Sequence, residues 1–310
     1  MAPGQAPSPT PMSPITEAAH AKINLTLKVL GRRHDGYHEL ESLVVFAAVG
    51  DHVALEPAAE PAVETTGPFA TAIAGENLAA AALERLRRIE PRLKLGRVTL
   101  EKNLPVAAGL GGGSADAAAV LRAVRRANPQ LSDALDWTAI AARLGADVPV
   151  CLASRPALVW GAGEKVCLLD GMPRLPAVLV NPRQPLPTAS SFEELRAGPT
   201  ARRLDRPAEP GPFGTAADLI AHLSRHGNDL ERPAIQLMPV ITAIMVSLRG
   251  RSRCLLARLS GSGPTCYGIF EAGEAAAEAA AEIAAAQPGW WVRATELAGS
   301  PARDRFSACG

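Results

Sequence analysis

The chain has 310 residues, 47% of them hydrophobic and 20% charged, and a net charge of +1. That balance excludes a disordered or fibrous chain, leaves room for two domains each with its own core, and gives no broad basic surface for nucleic acid. Five cysteines without a C-x-x-C pair argue against a disulfide framework or a zinc site and point to the reducing cytoplasm.

No apolar run approaches the length that crosses a bilayer, so no membrane partner is expected. Residues 1–14 hold several prolines and no basic cluster before an apolar core, and they read as a disordered tail rather than a signal peptide. From residue 19, Ala21, Ile23, Leu25, Leu27 and Val29 alternate with Lys22, Asn24, Thr26 and Lys28, which predicts one half-buried strand ended by Gly31. An Asp35-Gly36 turn then sets Tyr37 beside His38. Strands over 40–48 and 52–56 are expected to fold back on each other at Gly50-Asp51. Residues 57–75, rich in Pro, Gly and Ala, read as irregular. A helix over 77–89 and a strand over 97–102 follow.

That strand feeds a glycine-dense loop, Leu104-Pro105-Val106-Ala107-Ala108-Gly109-Leu110-Gly111-Gly112-Gly113-Ser114, and then an alanine-rich helix. Ala117, Val120, Leu121 and Val124 form its apolar face, and Asn128-Pro129 stops it. The helix should begin near Ser114, with its unpaired N–H groups pointing back into the glycines. Backbone free of Cβ atoms at the positive end of a helix dipole forms an anion cradle. A plain glycine linker before a capped helix offers the same composition, but three glycines directly ahead of a strongly periodic helix favour a phosphate site. The pattern is neither Walker A nor G-x-G-x-x-G, so any lysine for a nucleotide must come from elsewhere in the chain.

Next come a helix to Leu144 capped by Ser132 or Asp136, then Asp147 in a short break before Pro149, and two short strands around 161–163. A composition shift at 170–176 marks the expected boundary between a 15–170 domain and a 171–310 domain. In the second half, 177–180 reads as a strand, 181–215 as a surface wrap, and 216–225 and 234–248 as helices. Strands at 253–259 and 265–270 flank Ser260-Gly261-Ser262-Gly263. A helix over 271–286 and a strand over 290–297 finish an α+β sandwich.

Phosphoryl transfer needs held phosphates, neutralised charge and an aimed acceptor hydroxyl. The glycine loop offers the first, Lys22 a point charge for the second, and Asp147 a proton acceptor for the third. Each alone has an ordinary structural explanation.

Taken in order, Ala21-Lys22-Ile23-Asn24-Leu25, Asp35-Gly36-Tyr37-His38, the 104–114 loop, Gly145-Ala146-Asp147-Val148-Pro149 and Leu259-Ser260-Gly261-Ser262-Gly263 resemble the GHMP kinase superfamily over about residues 19–300. The first, second and fourth motifs are the more specific, and they resemble its branch acting on 4-diphosphocytidyl-2-C-methyl-D-erythritol. The resemblance implies a two-domain GHMP kinase fold, with an N-terminal domain like ribosomal protein S5 domain 2, a ferredoxin-like C-terminal domain and the site in the cleft between them. It implies ATP-dependent phosphorylation of the substrate's 2-hydroxyl in non-mevalonate isoprenoid precursor synthesis, by a cytoplasmic monomer or weak homodimer.

It implies Lys22 and Asp147 as catalytic residues, and Lys102 with Pro105 to Ser114 as the ATP site. Asn24, Tyr37, His38, Thr188 and Phe192 are implied on the substrate side, with Phe192 stacking on the cytosine. No acidic pair for metal is evident, so Mg²⁺ is expected to ride on phosphates and water. Ala107 and Ala108 depart from the pattern, standing where close relatives often carry glycine. Two other readings compete. A GHMP kinase of homoserine or a mevalonate derivative would leave the Tyr37-His38 turn without a purpose, and a non-catalytic nucleotide-binding regulator would need neither Lys22 nor Asp147.

Overall fold

The computed structural model describes residues 14–73, 75–200, 204–210 and 213–297. The tail read over 1–14 lies outside them except for residue 14, as does Cys309. Alternating apolar residues build a first group of strands, β1 (Ile15–Asn24), β2 (Lys28–Arg32), β3 (His38–Glu56), β4 (Ala62–Thr66), β5 (Arg97–Glu101), β6 (Ala157–Gly161) and β7 (Lys165–Leu168). With them run α1 (Leu78–Ile89), α2 (Gly112–Ala127), α3 (Trp137–Ala142) and α4 (Val148–Ala153). β3 is the spine, antiparallel to β1, β2, β5 and β6, while β4 lies parallel to β5 and β7 closes on β6.

The second group comprises β8 (Leu175–Asn181), α5 (Thr188–Leu195), α6 (Ala216–Arg225), α7 (Glu231–Leu237), α8 (Val240–Arg249), β9 (Cys254–Leu259), β10 (Cys266–Phe270), α9 (Gly273–Ala286) and β11 (Trp291–Leu297). Its strands lie in the order β11-β8-β10-β9, all antiparallel, which with the helices between them is the ferredoxin-like arrangement. The groups are stitched by the pair Leu297 and Ala47 and by a shared core of Ile23, Leu43 and Val45 against Leu179, Tyr267 and Trp291. Separate cores lie under α1–α4 and under α8 and α9.

Several elements differ from the sequence-based expectations. The alternation from 19 to 29 is broken between β1 and β2, because the Leu27 backbone turns to the other half and bonds to Gly227 and Asp229. Gly50-Asp51 is no turn, since β3 runs straight through it for 19 residues. Gly50 ends the stretch where β3 bulges against β1, and a Cβ there would run into the Ala19 carbonyl oxygen, so glycine is there for close approach. β4 occupies part of the segment read as irregular, and α5 part of the surface wrap. Asp147 precedes a helix rather than a break, because Pro149 is tolerated in a first turn. The helix expected over 234–248 splits at Pro239, which has no N–H to continue α7. α2 starts two residues ahead of Ser114, at Gly112.

Candidate active site

Lys22 and Asp147, far apart in sequence, meet with Nζ 3.0 Å from Oδ2. The lysine side chain is 8% exposed and the aspartate 38%, so the amine is fixed and the carboxylate opens to the cavity. The Lys22 ammonium also donates to Asn24 Oδ1 at 3.2 Å, Asn24 Nδ2 to Ser42 Oγ at 2.7 Å, and Ser42 Oγ to the Thr26 carbonyl at 2.6 Å. The polar face of β1 is therefore buried and wired rather than solvated, which holds the amine in one rotamer.

The glycine loop lies against this lysine. Lys22 N–H donates to the Leu110 carbonyl at 2.8 Å, and Ser260 Oγ to the Gly109 carbonyl at 3.1 Å. α2 begins after Gly111 with no side-chain cap, leaving its first N–H groups toward the cavity. Gly111 has φ +63°, and a Cβ there would stand 3.1 Å from Lys22 Cε. Gly111→Ala should therefore cost about 1–2 kcal/mol for the left-handed backbone and also displace the amine. Thermal melting should show the loss, with kcat falling further than the fraction unfolded accounts for.

One cavity of about 780 Å³ joins these parts. Of the residues singled out in the sequence, Lys22, Asn24, Tyr37, His38, Lys102, Pro105 to Gly109, Gly111 to Ser114, Asp147, Thr188 and Phe192 line it. Leu110 does not. Its side chain is in the shared core, and only its carbonyl serves the site. At the far end the His38 and Phe192 rings stack on each other with centroids 4.6 Å apart and planes 20° apart. Burial first, then Arg32, holds the His38 imidazole below its usual range, so it is neutral at pH 7 and offers one donor and one acceptor. Tyr37 stands 62% exposed at the rim. Thr188 Oγ1 meets Ser262 Oγ at 2.9 Å, and Ser191 Oγ donates to the Ser262 carbonyl, tying α5 to the second glycine loop.

Lys102 differs from a free cation. Its ammonium bonds Asp116 Oδ2 at 2.6 Å and also Asp51, and the three side chains are almost wholly buried. Asp51 Oδ1 accepts the N–H groups of Asn103 and Leu104 at 2.5 and 2.8 Å, so it anchors the start of the loop. Burial opposes the lysine charge, but Asp116 and Asp51 outweigh it and raise its affinity for protons. Sequence reasoning missed Ser42, Asp51, Asp116 and Ser262. Ser262 lies inside the second glycine motif, where the sequence assigns it no role. Asp116 carries a signal as an acid within an alanine run that is buried all round and so needs a partner. The apolar pair Ile73 and Leu78, with Asn77, lines the cavity beside α2 and was also missed. Among the described residues no three His, Cys, Asp or Glu side chains converge for a metal ion.

The family model described as GHMP kinases N terminal domain matches residues 77–155, and that described as GHMP kinases C terminal matches 210–288. The chain is 51% identical over 289 residues to 4-diphosphocytidyl-2-C-methyl-D-erythritol kinase of Parvibaculum lavamentivorans, covering 92% of this chain and 99% of that one. A crystal structure of 4-(cytidine 5'-diphospho)-2C-methyl-D-erythritol kinase superposes with TM-score 0.70 at 32% identity, covering 92% and 100% of the two chains. Homoserine kinase from Cytophaga hutchinsonii gives TM-score 0.67 at 16% identity over 94% and 97%, a likeness of fold alone.

Proposed function

The chain belongs to the GHMP kinases and, among them, to the 4-diphosphocytidyl-2-C-methyl-D-erythritol kinases; on that premise we propose that it transfers the γ-phosphoryl group of ATP to the 2-hydroxyl of 4-diphosphocytidyl-2-C-methyl-D-erythritol, with Lys22 and Asp147 as the reacting pair. The carrying observation is the 3.0 Å contact of those two side chains beside the uncapped start of α2.

ATP places its phosphates on the amides of the Gly111 to Ser114 turn and its base toward Ile73, Asn77 and Leu78. Asp147 accepts the proton of the acceptor hydroxyl, and Lys22 neutralises charge between that oxygen and the γ-phosphate. Asn24 fixes Lys22 and faces the substrate. Among the described residues, Asp147 and Asp116 are each engaged by a lysine. Mg²⁺ enters with ATP, held by phosphates and water.

Cytosine stacks on Phe192, with Tyr37 and His38 reading its edge and Thr188 close to the substrate. The His38 ring now covers the Phe192 face at 4.6 Å, so that stack must part, with His38 swinging to the edge of the base, before cytosine can lie on Phe192. Phe192→Ala should raise KM for the cytidylyl substrate about 5- to 100-fold, the value of one stacked base, and leave KM for ATP within about twofold. Equal changes in both constants would remove Phe192 from base recognition.

The division at residue 170 into an ATP-side 15–170 and a substrate-side 171–310 domain belongs to the same proposal, as does a monomer or weak homodimer, since one chain supplies every residue named. A cytoplasmic location is supported by the thiols of Cys151, Cys254 and Cys266, which are in no disulfide. No helix among the described residues is long and apolar enough to cross a membrane. Purified protein with ATP and Mg²⁺ should phosphorylate the cytidylyl alcohol and leave homoserine and mevalonate unchanged. Turnover of either of those without the cytidylyl alcohol would overturn the assignment.

A further inference from the structure

The Asp51–Lys102–Asp116 cluster lies under the glycine loop and, beyond the place the resemblance gives Lys102 in the ATP site, has no part in the chemistry assigned above. It clasps both ends of that loop, with Asp51 on the N–H groups of Asn103 and Leu104 and Lys102 on Asp116 in α2. Two carboxylates against one ammonium leave one uncompensated negative charge. A Cβ at Gly112, in the turn that receives phosphate, would be 3.6 Å from Lys102 Nζ and 3.8 Å from Asp51 Oδ2. Asp116 lines the cavity, is 3% exposed, and its Oδ1 is buried with no hydrogen-bond partner.

The elements packed round α2 supply little else to balance that charge. α1 buries Ala79, Ala82, Leu83 and Leu86, and α3 buries Trp137, Ile140 and Ala141. α4 brings the Cys151 thiol, pushed up to about 12 by burial and then by Asp147, so it stays neutral. β1 brings Lys22, engaged by Asp147, Glu17, engaged by Arg122, and His20, lowered by burial. β3 brings Asp51 and the exposed His52.

We propose that seating the phosphates of ATP on α2 draws a proton from solvent onto Asp116, so that nucleotide affinity is proton-linked through a residue the nucleotide does not touch. The inference rests on the phosphate site proposed above. An arriving anion raises the cost of a buried carboxylate beside it, and of the two carboxylates Asp116 is the one with an unbonded oxygen. Burial first, with Lys102 opposing and Asp51 reinforcing, already holds its carboxyl up at about 7. Asp116 is thus a positioning residue whose charge yields when the loop is loaded. Because the bound form holds more protons, affinity must fall as pH rises above neutrality.

The test is calorimetry of the full chain with the magnesium complex of a non-hydrolysable ATP analogue, in two phosphate-free buffers of low and high ionisation enthalpy. Wild type should take up several tenths of a proton near pH 7.5 and bind about three- to tenfold more weakly at pH 8.5 than at pH 7. Asp116→Asn should bind with no buffer-dependent enthalpy and a flat pH profile. Asp51→Asn, which removes the other carboxylate charge, should also reduce the uptake and serves if Asp116→Asn does not fold. Nucleotide binding without proton uptake in wild type, or with equal uptake in Asp116→Asn, overturns the inference and leaves the phosphate site standing. A wild-type chain that binds no nucleotide overturns both.

Discussion

Asp147→Asn should bind nucleotide as wild type does and turn over roughly 10²–10⁴-fold more slowly, the usual contribution of a positioned general base. The amide keeps the size of the carboxylate and an oxygen for Lys22, now 3.0 Å away, so geometry is largely preserved and proton acceptance is lost. The Asp147 side chain is more than one-third exposed toward the cavity, but the buried Lys22 ammonium loses its one carboxylate partner and keeps only neutral oxygens, so a modest fall in melting temperature accompanies the loss of turnover. Single-turnover phosphoryl transfer, with nucleotide affinity measured separately, reads the two effects. Wild-type turnover in this variant would take Asp147 out of the reaction.

Lys22→Met should lower kcat by about 10²–10³, the magnitude found when one preorganised charge stabiliser is removed from a transition state. Methionine fills the stem's volume beside Gly111 but leaves Asn24 Oδ1 without its donor and Asp147 without its cation. Lys22→Arg should not restore activity, because the larger planar head must pass the tight approach of Gly111 to the stem. The double variant with Asp147→Asn should lose little more than the worse single variant, since the two groups act on the same proton and phosphoryl transfer. Additive losses, measured in a double-mutant cycle on kcat, would mean the two side chains work on different steps.

What could be read in the sequence was what short-range rules govern. Glycines without Cβ atoms ahead of a periodic helix announce an open helix start, and that is how 109–114 runs into α2. Asp136, one of the two caps that residue type suggests, does cap the helix that follows it. The failures have long-range causes. Gly50-Asp51 has the composition of a turn, but Ala19 across the sheet and the Asn103 and Leu104 amides decide its conformation and use. α4 and α5 are short, with proline at or beside their starts, so neither shows a helical period long enough to recognise. The clustering of residues 51, 102 and 116 depends on three elements converging, which no local pattern encodes. Lys22 was legible as a residue but not as a buried one, because alternation alone assigns it to solvent.

β3 carries His38 at one end, Ser42 behind the Lys22–Asn24 pair, and Asp51 where the glycine loop is anchored. One continuous strand therefore gauges the span from the proposed base reader to the proposed phosphate seat. Between Ser42 and Phe46, where the pairing with β6 and β1 is regular, inserting or deleting a single residue would turn the downstream side chains to the opposite face.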